Sequence, residues 1–245
     1  MDVRFYVFTD SYPCEAVLAA ARHKEIDVRR VDLAPVLHAF VMKAVFGERT
    51  VPGARFGDRK VHGSTAIFHA LDDVRPDPPL FPTPEVEAAE AWGAGPFQDI
   101  GRRFVWFHLR GRPAEMRRWA QRDEDPRTAR IKRVLGAPMA AIAARANDAA
   151  PERVRADLAA LPEHLAHVDE LIARGVIGNP DAPNAADFQI LSSVAAWWVI
   201  QDLRPLLSEH DSVSTALRLF PRYAHADGFS GGVIPPAWLE PLRAV

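Results

Sequence analysis

The hydrophobic pattern changes once along the chain, near residue 80. Before that point, runs of aromatic and β-branched residues predict strands at Val3–Thr9 and Val28–Leu33, because such residues pack well on a pleated surface. Between these strands, alanine and leucine at helical spacing predict a helix that starts at or just after Pro13 and ends at His23. A strand, a helix and a strand within about thirty residues predict a βαβ unit with a parallel strand pair.

The following stretch extends this α/β unit. Residues 36–46 are apolar and predict a short helix or an irregular loop. A hairpin is predicted over residues 51–62 with its turn at Gly57 and Asp58, and a helix is predicted from about Ala66 to Val74. The predicted order of elements is therefore βαβ-ββα.

A proline-rich segment separates the two patterns. Five prolines fall between residues 75 and 85, which excludes a helix or a central strand there. Beyond it, the composition favours helices and no strand pattern is found. We predict an α/β domain at 1–77, a linker at 75–84 and an all-α domain at 85–245. The helices predicted in the second domain are 85–109, 113–122, 126–147, 151–174, 184–203 and 214–223.

One helix start in the second domain has a specific signature. Asn184 is followed three residues later by Asp187, and an apolar helix comes after them. This spacing is that of a capping box, in which each side chain accepts a hydrogen bond from the backbone N–H of the other residue. We expect the box to serve folding and not chemistry.

Composition narrows the class of protein. Of the 245 residues, 48% are hydrophobic and 25% are charged, which is typical of a globular chain. The formal net charge of −2 provides no general attraction to nucleic acid or to an acidic membrane. Cys14 is the single cysteine, so an intramolecular disulfide is excluded and a reducing compartment is expected. No leader pattern and no membrane-spanning run is found, so we expect a cytoplasmic protein with no membrane partner.

The turn from the first strand to the first helix holds two candidate reactive groups. In open α/β sheets, ligands bind at this edge. Ser11 can donate a hydrogen bond to a bound thiolate near the positive end of the helix, and the alternative is that Ser11 only caps the helix. Cys14 is the rival nucleophile, because a first-turn position can lower a thiol pKa, and the alternative is a small buried apolar residue.

A second candidate ligand site spans the hairpin and the next helix. The bond between Val51 and Pro52 can be cis, which would turn the Val51 backbone outward. Unpaired N–H groups at Ser64 and Thr65 would then provide a site for a carboxylate. The alternative is an ordinary hairpin followed by a serine N-cap.

Other patterns in the sequence do not support nucleic-acid binding or metal binding. Residues 102–133 are basic with interleaved aromatic residues, a pattern that we assign to a solvated helix face. His164 and His167 can share a helix face, but no third ligand accompanies them. Among the helix aromatics at 92–108 we expect more to be core than cavity wall.

The motifs together resemble those of a glutathione S-transferase. Residues 11–17 read Ser-Tyr-Pro-Cys-Glu-Ala-Val, residues 50–52 read Thr-Val-Pro, residues 63–67 read Gly-Ser-Thr-Ala-Ile, and the capping box follows in the same order. The first motif is most similar to the theta class and to bacterial proteins of that type. The resemblance implies a thioredoxin-like, thiol-binding N-terminal domain and an all-helical C-terminal domain.

The resemblance also implies roles for individual residues. It makes Ser11 the thiolate-activating serine, Val51 before cis-Pro52 the backbone partner of the cysteinyl group, and Ser64 the partner of the γ-glutamyl carboxylate. His38 falls where the family has a histidine near the glycyl end of glutathione. The remaining residues of the implied binding set are Tyr12, Pro13, Gly63 and Thr65.

The activity implied is conjugation of glutathione, as a cosubstrate, to a hydrophobic electrophile in detoxification, by a homodimer without a permanently bound cofactor or metal.

Two residues differ from the family pattern on which this activity depends. Gly63 stands where the family has an acidic residue for the γ-glutamyl amine, and Glu15 stands where a basic residue is usual. Weak glutathione binding, another small thiol, a non-catalytic binding or regulatory protein, and thiol exchange or peroxide reduction by Cys14 therefore stay open.

Overall fold

Four short strands form one mixed sheet at the start of the chain. The computed structural model describes residues 1–9, 11–34, 37–120 and 126–240. The strands are β1 (Val3–Val7), β2 (Arg29–Asp32), β3 (Gly53–Phe56) and β4 (Arg59–His62), in the order β2-β1-β3-β4. β1 and β2 pair in parallel, whereas β3 pairs antiparallel with both β1 and β4. The predicted parallel pair and hairpin are confirmed.

Three helices accompany the sheet: α1 (Tyr12–His23), α2 (Leu37–Phe46) and α3 (Ser64–Val74). The apolar stretch at 36–46 is thus a helix, although its first position lies outside the described residues. Along β1, every second side chain is buried, as expected for a strand with one face on the core. α1 is buried from Tyr12 to Ala21, because it contacts α3 on one side and the second half of the chain on the other.

Two proline peptide bonds in this region are cis, Val51–Pro52 and Asp77–Pro78. The first confirms the isomer expected at Pro52. Between Val74 and Pro84 the chain forms no helix or strand. The α/β part followed by an all-helical part is therefore confirmed, and the division at 1–77 and 85–245 stays a prediction.

Among the described residues of the second half, the regular elements are helices, with one isolated β-bridge between Ile200 and Phe229. The first five α-helices are α4 (Pro84–Trp92), α5 (Gln98–Leu109), α6 (Pro113–Ala120), α7 (Pro126–Ala146) and α8 (Pro151–Ala173). After them come α9 (Ser192–Trp197), α10 (Arg204–Leu207), α11 (Asp211–Leu219), α12 (Pro221–Ala224) and α13 (Pro236–Leu239). Positions 121 and 122 of the predicted helix 113–122 lie outside the described residues.

Three predicted helices are wrong in extent. The predicted helix 85–109 is broken by a wide turn at Gly93–Phe97, where Gly95 leaves helical geometry (φ −95°, ψ −115°) just before Pro96, which lacks an N–H to continue the ladder. The predicted helix 184–203 ends at Trp197. The predicted helix 214–223 divides at Phe220, between α11 and α12.

The capping box is confirmed. Asn184 Oδ1 accepts hydrogen bonds from the N–H groups of Ala186 (3.0 Å) and Asp187 (3.2 Å). In return, Asp187 Oδ2 accepts from the Asn184 N–H at 2.9 Å, and Asp187 Oδ1 accepts from the Gly178 N–H at 2.6 Å.

Over the described ranges, no helix has both the length and the apolar composition needed to cross a membrane.

Candidate functional site

Two cavities lie side by side where the α/β part meets the helical part. Cavity A has a volume of about 450 Å³ and is lined by the loop at 50–52, the start of α3, and residues of the turn before α5 and of α5 itself. Cavity B has a volume of about 530 Å³ and is lined by the start of α1, by α2 and by helices of the second half. The four residues that line both are Pro13, Thr50, Val51 and Arg102, so the cavities adjoin.

The predicted site residues divide between the two cavities. Cavity A is lined by Pro13, Val51, Pro52, Gly63, Ser64 and Thr65. Cavity B is lined by Ser11, Tyr12, Pro13, His38 and Val51. Cys14 is the one predicted site residue that lines neither of them. The structure therefore brings together the residues of the two separate sequence motifs.

The start of α3 forms the polar end of cavity A. Gly63, and not Ser64, is the N-cap residue, and it has a positive φ of 88°. The first hydrogen bond of the helix runs from the Ile67 N–H to the Gly63 carbonyl (3.1 Å), so the N–H groups of Ser64, Thr65 and Ala66 precede the helical ladder. The serine N-cap alternative is therefore wrong, and the dipole of α3 favours an anion in cavity A.

The loop before β3 is held against this helix start. The Pro52 carbonyl accepts a hydrogen bond from the Gly63 N–H at 3.0 Å. His62 Nε2 lies 2.9 Å from the Thr50 carbonyl oxygen and 3.1 Å from Thr50 Oγ1. These contacts fix the Val51 backbone beside the free end of α3.

Ser11 lies at the start of α1 but does not cap it through its side chain. Its carbonyl accepts from the N–H groups of Cys14 and Glu15, both at 2.9 Å, while its hydroxyl interacts with the Cys14 thiol. Ser11 also lines cavity B, and it lies near the positive end of α1.

The environment of Cys14 favours the buried apolar residue over the reactive thiol. The residue is fully buried, and this burial raises the pKa of the Cys14 thiol to about 12, although hydrogen bonds from the Ser11 side chain and the Phe8 backbone act in the opposite direction. Burial raises the thiol pKa, and this effect is larger than the lowering expected from the position at the start of the helix. Cys14 is therefore protonated at neutral pH and behaves as a small apolar core residue.

His38 lines cavity B and not cavity A. Burial lowers the pKa of its imidazole, which is therefore neutral at pH 7. Its ring centroid lies 5.4 Å from that of Phe8, and its Nδ1 finds no hydrogen-bond partner within the part of the chain that the structure describes. His38 thus provides a neutral polar group at the edge of an apolar cavity.

The negative charge expected from Glu15 is neutralised within the fold. Glu15 is buried, and its Oε1 accepts a hydrogen bond from Arg222 Nη1 at 2.5 Å. The two residues are far apart in the chain, so the sequence around Glu15 carries no sign of this pairing.

Two residues of α5 belong to the site but were not predicted. Gln98 lines cavity A, and Arg102, one turn further along, lines both cavities and donates to Gln98 Oε1 and to Asp99 Oδ1 (2.8 Å). Assigning the stretch from Arg102 onwards to a solvated face was therefore wrong for Arg102 itself. The i, i+4 spacing of Gln98 and Arg102 is the signal that would have placed them on one helix face.

The remaining candidates have structural roles. The rings of His164 and His167 pack on Trp92, with centroid distances of 6.0 and 4.8 Å. Among the described residues, no group of three or more His, Cys, Asp or Glu residues is arranged to hold a metal ion. Of the aromatic residues at 92–108, Trp106 lines cavity B.

Solved structures with this fold include several glutathione S-transferases. One from Rhodospirillum rubrum is 20% identical, with a TM-score of 0.57 over 96% of this chain and 90% of its own. A theta-class glutathione S-transferase from Xanthomonas axonopodis pv. citri, solved with glutathione bound, is 18% identical, with a TM-score of 0.61 over 94% of this chain and 98% of its own. The beta-etherase LigF from Sphingobium is 17% identical, with a TM-score of 0.62 over 98% of this chain and 100% of its own.

No protein-family model and no curated protein sequence matches the chain. At these identities, the similarity establishes the fold. The protein therefore has the glutathione S-transferase fold, a thioredoxin-like α/β part followed by an all-helical part, as the sequence motifs implied.

Proposed function

We propose that the protein is a glutathione S-transferase-like enzyme that conjugates a γ-glutamyl thiol, glutathione itself, to a hydrophobic electrophile. The observation that carries this proposal is the adjoining pair of cavities. Cavity A is lined by the start of α3, cavity B is lined by Ser11, and Val51 lines both. A tripeptide thiol seated in cavity A would present its sulfur at the edge of cavity B.

The groups of cavity A match the ends of such a peptide. The γ-glutamyl α-carboxylate would accept hydrogen bonds from the N–H groups at Ser64 and Thr65, where the helix dipole favours negative charge. The Val51 backbone would pair with the cysteinyl unit in the manner of a short β-ladder. Arg102 is a charged side chain at the junction of both cavities. The volume of cavity A lies within the range usual for small-molecule sites.

The chemistry proposed requires only a donor and close approach. The thiol of glutathione loses its proton to solvent, and the Ser11 hydroxyl donates a hydrogen bond to the resulting thiolate. The sulfur then attacks an electrophilic carbon in cavity B, a carbon–sulfur bond forms, and the leaving group departs with its electron pair. Holding the two reactants side by side supplies much of the rate, and stabilising the thiolate raises the fraction of reactive sulfur at neutral pH.

The wall of cavity B indicates the kind of electrophile. Aromatic side chains that line it include Phe8, Phe40, Trp106 and Trp119, and no Asp or Glu lines it among the described residues. A largely apolar, flat molecule would bury the most surface there. A homodimer, a cytoplasmic location and a role in detoxification remain predictions that rest on the family resemblance.

A second candidate function is supported by Gly63. Where the family has an acidic side chain for the γ-glutamyl amine, this chain has none. The fold would then serve as a non-catalytic binding or regulatory protein whose ligand occupies the same cavities. By contrast, the burial of Cys14 argues against thiol exchange or peroxide reduction through that residue.

Calorimetric titration with reduced glutathione tests the proposal. We expect saturable binding in the micromolar to low-millimolar range, weakened in Ser64→Ala, because the family resemblance makes the Ser64 side chain a partner of the γ-glutamyl carboxylate. His69→Ala, at another residue that lines cavity A but has no proposed ligand contact, is the control for a general disturbance of the cavity. Turnover of chlorodinitrobenzene with glutathione would support the transferase, whereas binding without turnover of any electrophile in a broad panel would support the second candidate. No heat of binding from a folded sample would contradict the glutathione transferase and favour the second candidate with a different ligand.

A further inference from the structure

A buried carboxyl group lies directly behind the wall of cavity A. Glu90 of α4 is 1% exposed, and its Oε1 accepts a hydrogen bond from Thr65 Oγ1 at 2.8 Å. Burial raises the pKa of this carboxyl to about 7, and Thr65 acts in the opposite direction. Burying a carboxyl beside a neutral partner is unfavourable, so packing alone gives no reason for an acidic residue at this position.

The position of Glu90 relates it to the ligand site. Thr65 lines cavity A together with Gly63 and Ser64, and Ala94, one helical turn after Glu90, lines it as well. Among the described residues, no Asp or Glu lines cavity A itself. Glu90 therefore contacts Thr65, a residue of the cavity wall, although none of the described acidic side chains lines the cavity itself.

Because Thr65 donates its hydroxyl proton to Glu90, the Thr65 hydroxyl oxygen can still accept a hydrogen bond from a ligand. A threonine hydroxyl has one proton and two lone pairs, and here the proton is donated to Glu90. An ammonium group in cavity A would donate to Thr65 Oγ1, and the carboxylate behind it would strengthen that bond, since chained hydrogen bonds polarise one another.

The same residue offers both contacts that an α-amino acid needs. The Thr65 N–H precedes the ladder of α3 and suits a carboxylate, while Thr65 Oγ1 suits an ammonium. In an α-amino acid, these two charged groups are attached to a single carbon, so one residue can contact both. We propose that Glu90, acting through Thr65, is the specificity-determining acid for the α-amino group of a γ-glutamyl thiol, in place of the carboxylate that Gly63 lacks. This inference rests on the proposed function of cavity A.

The test compares two thiols that differ only in the amine. Reduced glutathione and glutaryl-cysteinylglycine, which lacks the α-amino group, are each titrated by calorimetry into the wild-type protein and into Glu90→Gln. Glutamine keeps the shape of the side chain and still accepts from Thr65 through its amide oxygen. We expect the wild type to prefer glutathione, and Glu90→Gln to weaken glutathione binding about tenfold or more without changing the affinity for the des-amino thiol.

Two further variants separate recognition from structure. Thr65→Val keeps the shape of the side chain but removes the hydroxyl that links Glu90 to cavity A. We expect it to lose the preference for glutathione over the des-amino thiol in the same way. Glu87→Gln removes an exposed acid of the same helix whose charge raises the Glu90 pKa, so it is expected to leave the preference for glutathione intact. An equal change for both thiols in Glu90→Gln would assign the residue a structural role and overturn the inference, as would equal affinities in the wild type. Failure of the wild type to bind either thiol would instead contradict the proposed function, and the inference with it.

Discussion

The ammonium nitrogen of Lys24 lies 2.5 Å from Oδ1 of Asp72, and the lysine side chain is wholly buried. The same nitrogen donates to the carbonyl oxygens of Pro76 (3.3 Å) and Pro78 (2.6 Å), so its three protons all have partners. Both carboxylate oxygens of Asp72 accept from the Leu80 N–H at 3.0 Å. One buried ion pair therefore ties the proline-rich segment to α1 and α3.

Replacing Lys24 by methionine is expected to lower the free energy of unfolding by about 3 kcal/mol. The substitution leaves Asp72 without its buried cation and two proline carbonyls without a donor, and breaking a buried pair in this way is strongly destabilising. Urea denaturation measures the effect.

The neighbouring pair of Arg59 and Asp73 provides the control for this prediction. Its nitrogen–oxygen distance is 2.7 Å, but the two side chains are 55% and 59% exposed. Arg59→Met is therefore expected to cost less than about 1 kcal/mol. Similar losses in the two variants would refute the role given to the Lys24 pair.

Substitution of Ser11 by alanine is expected to reduce kcat with chlorodinitrobenzene by about 100-fold, the usual effect of removing one preorganised donor to a developing or stabilised anion. The affinity for glutathione should change little, because the proposed peptide contacts lie in cavity A. The pH–rate profile should also move to higher pH, since the bound thiol would lose the donor that favours its ionised form.

Cys14→Ala is the companion variant for the Ser11 prediction. Because the thiol is fully buried with a raised pKa, its removal should leave turnover within a few-fold of the wild type. Loss of activity in a folded Cys14→Ala protein, with Ser11→Ala still active, would reverse the two assignments.

Gly63→Asp is expected to raise the affinity for glutathione and to lower stability. A Cβ at this position would meet no atom within 4 Å, but the φ of 88° and ψ of 151° suit glycine alone, so the strain is about 1–3 kcal/mol. The new carboxylate would pair with the γ-glutamyl amine and add about tenfold in affinity.

Gly63→Ala separates the two effects. It should show the same loss of stability in thermal denaturation with no gain in binding. If Gly63→Asp binds glutathione no better than Gly63→Ala does, then the amine does not lie near residue 63 in the complex.

The sequence predicted the strands and the two flanking helices α1 and α3 of the α/β part to within two residues at each end, because their signals are local. The alternation along β1, the turn at Gly57 and the motif before α3 each depend on neighbouring residues. The longer helices were predicted as continuous where the chain bends. At Gly95 and Pro96, the glycine and the proline were visible in the sequence, but the helical periodicity on either side outweighed them.

The parts of the site that were missed depend on contacts between distant residues. Arg222 neutralises Glu15, and Glu90 contacts Thr65 through helix packing that no local pattern encodes. The two alternatives for Cys14 could not be separated from the sequence for the same reason, since burial has the largest effect on its pKa. Sequence motifs identified the residues proposed to bind the ends of the ligand, whereas the charge balance around those residues could be seen only in the fold.

The stability of the protein should depend on pH through Glu90. Burial raises the pKa of this carboxyl from 4.5 to about 7. Between these two values the native state holds a proton that the unfolded state has released, so raising the pH favours unfolding and the free energy of unfolding falls. Above about pH 7 both states are ionised and the decrease should level off. Glu90→Gln should lack this component, so its stability relative to the wild type should rise by an amount on the order of 3 kcal/mol across the window.

Urea denaturation of both proteins at a series of pH values measures that difference directly. Burial also raises the pKa of Asp187, to about 6, which gives a slope of the same sign, but it does so in both proteins and cancels in the comparison. A difference that stays constant between pH 4.5 and 7 would mean that Glu90 ionises in the fold as easily as in water. In that case burial would not disfavour the ionised carboxylate, and the raised pKa of Glu90 would be refuted.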